Sequence, residues 1–259
     1  DKFYKIVKTS YNTKDETIGV VLVFEDVTKE KEVEEIKNEF ISILSHEMKT
    51  PLTSITGFSK LLSTDKLGEL TNQQKDCVNV IYDEGERLKN LVEEILDIER
   101  LEKGKMAINK SLVNVIDIYS DVIDNKIIMK NENVKILKDF PKTIPKIMVD
   151  EDKLRQVLIN LISNSLKFTE SGSITVRVSS TNKEIITDVI DTGIGMKQEE
   201  LDHIFEKFYQ ISNHLTRNKG GLGLGLSIVK KILDLHNGHV EVKSKLNKGS
   251  TFTYYLPLK

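Results

Sequence analysis

A histidine stands inside an apolar helical pattern, in the stretch Phe40-Ile-Ser-Ile-Leu-Ser-His-Glu-Met-Lys-Thr-Pro-Leu52. An imidazole can ligate a metal, act as a base or nucleophile, or be an ordinary helix residue. A zinc-protease motif would need a second histidine four residues after the first, where Thr50 stands instead. Pro51 lacks an N–H and should bend the helix about one turn after His46. From these residues alone, the role of His46 stays open.

Two glycine-rich segments could bind phosphate. Asp191-Thr-Gly-Ile-Gly-Met196 follows a strand-like pattern, and Lys219-Gly-Gly-Leu-Gly-Leu-Gly-Leu-Ser227 precedes a helical one. Glycines let backbone amides approach a phosphate, and a helix N-terminus adds partial positive charge. A dinucleotide-binding fingerprint would need a strand just before the glycines, but residues 212–218 are polar and loop-like. The alternative is that both segments are simple turns.

A polar stripe on a predicted helix suggests a third kind of chemistry. Asn160, Asn164 and Lys167 follow one another at four and three residues, so they share one helical face. Amide oxygens suit Mg²⁺, and a lysine suits phosphates. The alternative for this stripe is a solvated helix face.

The composition limits the function classes. The 259 residues are 39% hydrophobic and 30% charged, which is typical of a globular protein with at least one core. A net charge of −2 argues against a general nucleic-acid binder. The single Cys77, expected in the core, fits a reducing, cytoplasmic setting. No apolar run reaches the roughly 20 residues of a membrane span. The chain starts without Met inside a strand-like pattern, so we expect a fragment, whose full-length form could still be membrane-anchored.

Three zones position these residues, and together they predict an α+β chain. Residues 1–27 read as a β-hairpin, residues 28–104 as two amphipathic helices, and residues 105–259 as a mixture of helices and strands. Each helix of the middle zone has an apolar stripe too broad for one partner, so we expect two such hairpins to form a dimeric four-helix bundle. The alternative is a hairpin packed on the rest of its own chain.

The third zone predicts a sheet covered on one face by helices. Asp150 is a good N-cap for the helix that carries the polar stripe. Strands are predicted at 134–140, 147–149, 173–180, 184–190, 239–245 and 250–256, and helices at 112–130, 150–167, 198–208 and 225–235.

With these motifs in order, the chain resembles the sensor histidine kinases. Ser45-His-Glu-Met-Lys-Thr-Pro-Leu52 closely matches the phospho-acceptor motif of that family. The family's four ATP-binding motifs are also matched in order, by residues 160–167, Asp191-Thr-Gly-Ile-Gly195, Phe205-Glu-Lys-Phe208 and Gly221-Leu-Gly-Leu-Gly225. Residues 3–27 resemble the last strands of a PAS sensor domain. The resemblance implies a dimerisation and phospho-acceptor domain at 28–104 and an α/β sandwich ATP-binding domain at 105–259.

The resemblance also implies roles for single residues in binding ATP and Mg²⁺. Asp191 would accept a hydrogen bond from the adenine amino group, and Asn164, with Asn160 beside it, would bind Mg²⁺. Residues 209–219 would form a mobile lid. Leu222 departs from the family, which often has Thr there, so a hydroxyl contact would be missing while the amides remain. The other implied nucleotide contacts are Lys167, Phe168, Gly193, Gly195, Arg217, Gly221, Gly223 and Gly225.

For His46 the resemblance implies the phosphorylated residue. Its neutral imidazole would attack the γ-phosphorus, Glu47 would accept the ring proton, and Thr50 would orient a water for the reverse reaction. The implied partners are a second copy of the chain and a response-regulator receiver domain, with no nucleic acid and no direct membrane contact. A non-enzymatic nucleotide-sensing scaffold is the competing hypothesis. An ATPase of the Hsp90–gyrase kind is another, but it leaves the segment around His46 unexplained.

Overall fold

The computed structural model describes residues 2–12, 17–64, 67–102, 108–124, 133–211 and 222–258. It contains two compact units, Asp1–Glu99 and Arg100–Lys259. The first is built from a strand pair and two long helices, and the second from a sheet with helices packed on it.

The strand pair of the first unit consists of β1 (Tyr4–Asn12) and β2 (Thr17–Asp26), which are antiparallel as predicted. Its apolar side chains are exposed on both faces, with Ile6 58% accessible on one face and Val23 53% accessible on the other. Successive side chains of a strand point to opposite faces of the sheet, so an isolated strand pair cannot bury both of its faces.

A hydroxyl network joins the strand pair to the first helix. The hydroxyl of Thr28 donates to the Asp26 carboxylate at 2.6 Å and accepts from the backbone N–H of Phe3 at 2.9 Å. The Thr28 bonds lower the pKa of Asp26. The junction is therefore pinned by bonds from the start of β1, the end of β2 and the first turn of the helix.

The two helices are α1 (Thr28–Leu62) and α2 (Asn72–Glu102). They run antiparallel, because Lys49 on α1 pairs with Glu93 on α2 at 3.1 Å, while Thr56 further along α1 meets Gly85 earlier on α2. A Cβ placed on Gly85 would come within 2.8 Å of the Thr56 methyl, so a glycine is what allows this close crossing. Cys77, expected in a core, is exposed on α2, because it lies outside the buried stripe.

Helix α1 continues through Pro51, and a run of side-chain hydroxyls follows the proline. Each hydroxyl donates to the carbonyl four residues earlier; these residues are Thr53, Ser54, Thr56 and Ser59. Such back-bonding competes with the helical ladder and often bends helices.

The second unit begins with a short antiparallel pair, β3 (Ser111–Val113) with β5 (Ile147–Val149). Its main sheet has five strands in the order β4-β6-β7-β9-β8, with β4 parallel to β6 and the other neighbours antiparallel. These strands are β4 (Val134–Asp139), β6 (Gly172–Ser180), β7 (Glu184–Asp191), β8 (His239–Ser244) and β9 (Ser250–Pro257).

The helices of the second unit fill the inner face of this sheet. Burial alternates strictly along β7 and β9, so one face is core and the other is partly accessible. The core also holds a chain of hydroxyls, in which Tyr254 donates to Tyr119 at 2.7 Å and Tyr119 contacts Thr187 at 3.3 Å. Burial raises the pKa of Tyr119 to about 12. The helices are α3 (Val115–Asp124), α4 (Glu151–Phe168), α5 (Gln198–Leu201) and α6 (Gly225–Leu235).

Two predicted helices are wrong in extent. The helix expected from residue 112 begins at Val115, because the Asn114 side chain accepts from the N–H of Ile116 and Leu112 instead pairs with Met148. The helix expected over 198–208 ends at Leu201. It gives way to turns, and the N–H of Phe208 then bonds the carbonyl of Gly223 at 3.1 Å. Tertiary contacts override local propensity in both places.

Candidate active site

Helices α4 and α6 form the frame of the candidate site and lie antiparallel. At one end, Asp150 caps α4 by accepting from the N–H of Lys153 at 3.1 Å, which confirms the predicted N-cap. The N–H of Asp150 donates to Nε2 of His236, at the end of α6, at 3.0 Å. Nδ1 of His236 lies 2.8 Å from the carbonyl of Ile232, so the neutral ring carries its proton on Nδ1.

At the opposite end of this helix pair, the polar stripe of α4 meets the start of α6. The amide of Asn160 donates to the carbonyl of Gly225 at 3.4 Å. A Cβ on Gly225 would lie 3.9 Å from the Asn160 amide and 4.0 Å from the Asn164 nitrogen. The N-cap residue Leu224 makes no side-chain cap. The two asparagines thus flank a helix N-terminus, an arrangement that favours a phosphate beside a cation held by amide oxygens.

Asp191, the last residue of β7, is 6% exposed and ordered by three donors. Its Oδ1 accepts from the N–H of Gly193 at 2.9 Å and from the N–H of Ser250 at 3.1 Å. Its Oδ2 accepts from the hydroxyl of Ser165 at 3.5 Å. Burial raises the pKa of Asp191, while the three hydrogen bonds oppose that rise. A buried carboxylate oriented in this way can accept a hydrogen bond from an amine.

The glycines after Asp191 are required by close backbone approach. A Cβ on Gly193 would lie 2.5 Å from the carbonyl oxygen of Phe168 and 2.9 Å from the Thr169 hydroxyl. Gly195 has φ +63°, and a Cβ there would collide with the carbonyl of Lys245. The loop therefore lies directly on the end of α4 and on the turn that follows β8.

The approach to α6 has a similar requirement. Gly223 has φ +72°, and a Cβ there would lie 2.6 Å from the carbonyl of Tyr209. The side chains of Lys167 and Phe168 are half-buried at the end of α4, with the lysine nitrogen 5.1 Å from the phenyl centroid. Arg217, Gly221 and most of the predicted lid lie outside the described residues.

The segment around His46 is helical backbone in α1, as predicted. Ser45 and Leu52 are buried against the hairpin, whereas Glu47 and Thr50 are exposed. The side chain of His46 lies outside the described residues. Among the residues that are described, no cluster of His, Cys, Asp and Glu could hold a metal ion.

Ser165, Ser250 and His236 were not predicted as parts of this framework. Ser165 follows Asn164 directly and therefore lies off the face of the polar stripe, so the helical spacing does not indicate it. Ser250 could be found only from strand register, because Asp191 and Ser250 are paired across β7 and β9.

Two family models match this chain. Residues 36–104 match the His Kinase A (phospho-acceptor) domain, and residues 149–259 match the histidine kinase-, DNA gyrase B- and HSP90-like ATPase. The first covers α1 from residue 36 and all of α2, and the second covers the helices and strands that form the candidate site. The chain belongs to the sensor histidine kinases.

Relatives of this chain carry consistent names. The circadian input-output histidine kinase CikA of Synechococcus elongatus is 36% identical over 85% of this chain and 30% of the relative. The sensor histidine kinase YclK of Bacillus subtilis is 35% identical over 87% of this chain and 48% of the relative. Sensor protein SrrB of Staphylococcus aureus is 33% identical over 97% of this chain and 44% of the relative. The chain therefore spans less than half the length of each of these relatives.

Solved structures share the fold. Full-length ShkA in complex with AMPPNP has a TM-score of 0.68 and 29% identity, over 85% of this chain and 45% of that one. The histidine kinase ThkA in complex with the response regulator TrrA has a TM-score of 0.56 and 24% identity, over 100% of this chain and 76% of that one. Among the described residues of this chain, no helix is long and apolar enough to cross a membrane. The predicted α+β fold, with a helical hairpin followed by an α/β ATP-binding domain, is confirmed.

Proposed function

We propose that this chain is an ATP-dependent histidine autokinase that phosphorylates His46 and passes the phosphoryl group to an aspartate of a response regulator. The observation that carries the proposal is the meeting of Asn160 and Asn164 with the N-terminus of α6 at Gly225. A helix N-terminus bordered by amide oxygens suits a metal-bound polyphosphate. The phospho-acceptor motif on α1 supplies the residue to be phosphorylated.

ATP would bind with its base at Asp191 and its phosphates at α6. The carboxylate would accept from the adenine amino group, and guanine, with a carbonyl at that position, would be unmatched. Lys167 would contact the phosphates and Phe168 would lie near the base. Gly193 and Gly195 let the chain pass close to the base, and Gly221, Gly223, Gly225 and Arg217 would lie on the phosphate side.

Mg²⁺ would be held by Asn164, with Asn160 beside it, and would supply neutralisation of charge on the phosphates. Asn160 already donates from its amide nitrogen to Gly225, so its amide oxygen is turned away from that carbonyl. The residues therefore fit Mg²⁺ by their chemistry, because they offer two amide oxygens beside a helix N-terminus.

The chemical step would begin at the neutral imidazole of His46. One ring nitrogen attacks the γ-phosphorus, an N–P bond forms, and the bond from that phosphorus to the leaving ADP oxygen breaks. The proton on the other ring nitrogen passes to Glu47, which is exposed on α1. Thr50, exposed one turn later, would orient the water that removes a phosphoryl group from the regulator.

A second copy of the chain would cover the apolar side of the helical hairpin. Several large apolar side chains of the two helices are solvent-exposed in the single chain. They include Val33, Ile36, Ile43, Phe58, Val80 and Ile81, each more than half accessible. Two hairpins would bury such residues in a four-helix bundle. By this reading, residues 1–27 are the end of a PAS-like domain, 28–104 the dimerisation domain and 105–259 the ATP-binding domain.

The kinase chain would work in the cytoplasm. Its substrate would be ATP, and its free thiol, Cys77, is exposed, which fits a reducing compartment. Its partner, a receiver domain with an acceptor aspartate, would meet it there.

Incubation with γ-labelled ATP and Mg²⁺ tests the proposal. We expect an acid-labile label on the wild-type chain, none on His46→Gln, and transfer of that label to a receiver domain. The same His46→Gln chain should still bind ATP, whereas Asn164→Ala should lose both binding and label. ATP bound without any label would instead support the nucleotide-sensing scaffold.

A further inference from the structure

The Asp191 carboxylate has two unequal oxygens. Oδ1 is held by two backbone N–H groups, those of Gly193 and Ser250, and so is fixed by the loop and by β9. Oδ2 takes its bond from a side chain, the hydroxyl of Ser165. A carboxylate oxygen has two lone pairs, so Oδ2 keeps one for a ligand while Ser165 occupies the other.

Ser165 is well placed to act on this oxygen. It is 2% exposed, and it lies on α4 between Asn164 and Phe168, which are both assigned to the nucleotide. The distance of 3.5 Å from its hydroxyl to Oδ2 exceeds the roughly 2.7–2.8 Å of a typical O–H···O bond. Hydrogen bonds around a ligand site are often long in the free protein and shorten when the ligand binds.

We propose that Ser165 is a positioning residue of the adenine site, which keeps Oδ2 of Asp191 oriented toward the exocyclic amine of the nucleobase. This rests on the proposed function, since it assumes that Asp191 receives adenine. The role belongs to a residue that lies outside the glycine loops and acts through the carboxylate.

The hydrogen bond from Ser165 also affects the protonation of Asp191. Burial raises the pKa of Asp191, and the Ser165 hydroxyl is one of the three donors that oppose the rise. An ionised carboxylate is a stronger acceptor for an N–H donor than a protonated one. Removing the hydroxyl should raise the pKa of Asp191 further. A larger fraction of the molecules would then carry a protonated Asp191 on the acid side of neutrality.

The first measurement needs no nucleotide. In the nucleotide-free full chain, the backbone amide signals of Gly193 and Ser250 report the titration of Asp191 by NMR, because both amides donate to its carboxylate. We expect their pH midpoint to move to higher pH in Ser165→Ala. Ser163→Ala is the matched control, since Ser163 is exposed on the same helix and bonds the carbonyl of Asn160. It should leave the midpoint unchanged.

The second measurement is the affinity for Mg-ATP as a function of pH. In Ser165→Ala we expect ATP to bind about three- to tenfold more weakly at neutral pH, with the acid limb of the binding curve moved to higher pH. Binding of inorganic triphosphate, which lacks the base, should be unchanged. Equal losses for ATP and triphosphate would overturn the proposal, because they would indicate a general disturbance of α4.

Asp191→Asn separates this inference from the proposed function. If the NMR midpoint of Ser165→Ala equals that of the wild type, or if ATP affinity is unchanged while Asp191→Asn abolishes binding, the positioning role is wrong and the proposed function stands. If Asp191→Asn binds ATP normally, the adenine role of Asp191 is itself wrong, and the role of Ser165 fails with it.

Discussion

At the scale of single residues, Thr169 stands apart from its neighbours. Among the described residues, its hydroxyl is the buried side-chain polar atom without a hydrogen-bond partner, and the residue is 1% exposed. It lies beneath the Gly193 loop. A buried hydroxyl without a partner costs stability, because folding strips it of water and returns no bond.

Thr169→Val should therefore raise the free energy of unfolding by about 1 kcal/mol, since the orphaned hydroxyl is replaced by a methyl group of similar shape. Chemical denaturation of the nucleotide-free chain measures this. Thr187→Val is the control: its hydroxyl contacts that of Tyr119, so its loss should lower stability. A Thr169→Val chain that is less stable than the wild type would contradict the prediction.

Much of the candidate site could be predicted at this scale, because sequence spacing carries part of its geometry. Asn160 and Asn164 are one helical turn apart, and a glycine-rich segment before a helix indicates a phosphate-binding N-terminus. Ser250 could not be found in this way. Its contact with Asp191 depends on the register of β7 with β9, across 59 positions of chain.

At the scale of elements, His236 joins the end of α6 to the start of α4. Burial lowers its pKa, and so does the nearby charge of Lys110, while the bond to Ile232 and the charge of Asp150 oppose this. Protonation would place a second N–H against the N–H of Asp150, where an acceptor is needed. The histidine therefore holds α4 and α6 together in its neutral form.

The pH dependence of stability should reveal the contribution of the His236 hydrogen bonds. The folded pKa of His236 lies below its ordinary value of 6.5, so the unfolded chain binds the extra proton more readily. Stability from this residue is present above pH 6.5 and is lost as pH falls toward the folded pKa. In His236→Gln, the free energy of unfolding at pH 8 should fall by about 1 kcal/mol, and its decline in acid should flatten.

His203→Gln is the control in the same denaturation series, because it should change the pH dependence of stability in the opposite direction. The hydrogen bond to Glu206 raises the pKa of His203, so its contribution is present in acid and lost as pH rises. Its replacement should steepen the loss of stability in acid rather than flatten it. If both variants changed the profile in the same sense, the assignment to His236 would be wrong.

Helices and strands were predicted correctly where the spacing of apolar residues and the capping residues indicated the same element. The alternating strands β7 and β9 and the Asp150-capped helix α4 follow directly from their residues. The segment after α5 could not be predicted, because its shape is set by a distant glycine. Phe208 has φ +62° and donates its N–H to the carbonyl of Gly223. No pattern in the neighbouring residues indicates that contact.

At the scale of the whole molecule, the exposed apolar side of the helical hairpin is the surface through which we propose that two copies associate. Phe58 on α1 is 68% accessible in the single chain. Phe58→Glu would place a charge on each side of a two-fold interface, where burial without a partner is costly. The dimer should weaken by at least about tenfold, and sedimentation at micromolar concentration measures it.

Leu112→Glu is the control for dimerisation. Leu112 is also large, apolar and 61% accessible, but it lies on β3 in the second unit. This variant should sediment as the wild type does. A monomeric wild-type chain, or a Phe58→Glu chain with undiminished association, would show that the hairpin is covered in some other way.

The proline-containing part of α1 has a mechanical consequence. Pro51 cannot donate to the helical ladder, and the hydroxyls of Thr53, Ser54 and Thr56 share carbonyls that the ladder also uses. The helix thus lacks the ladder bond of Pro51 directly after the turn that carries His46, while Thr56 packs against Gly85. A rotation imposed at Thr28 would therefore be taken up in this short length, and the turn that carries His46 would rotate while the far end of the hairpin stays in place.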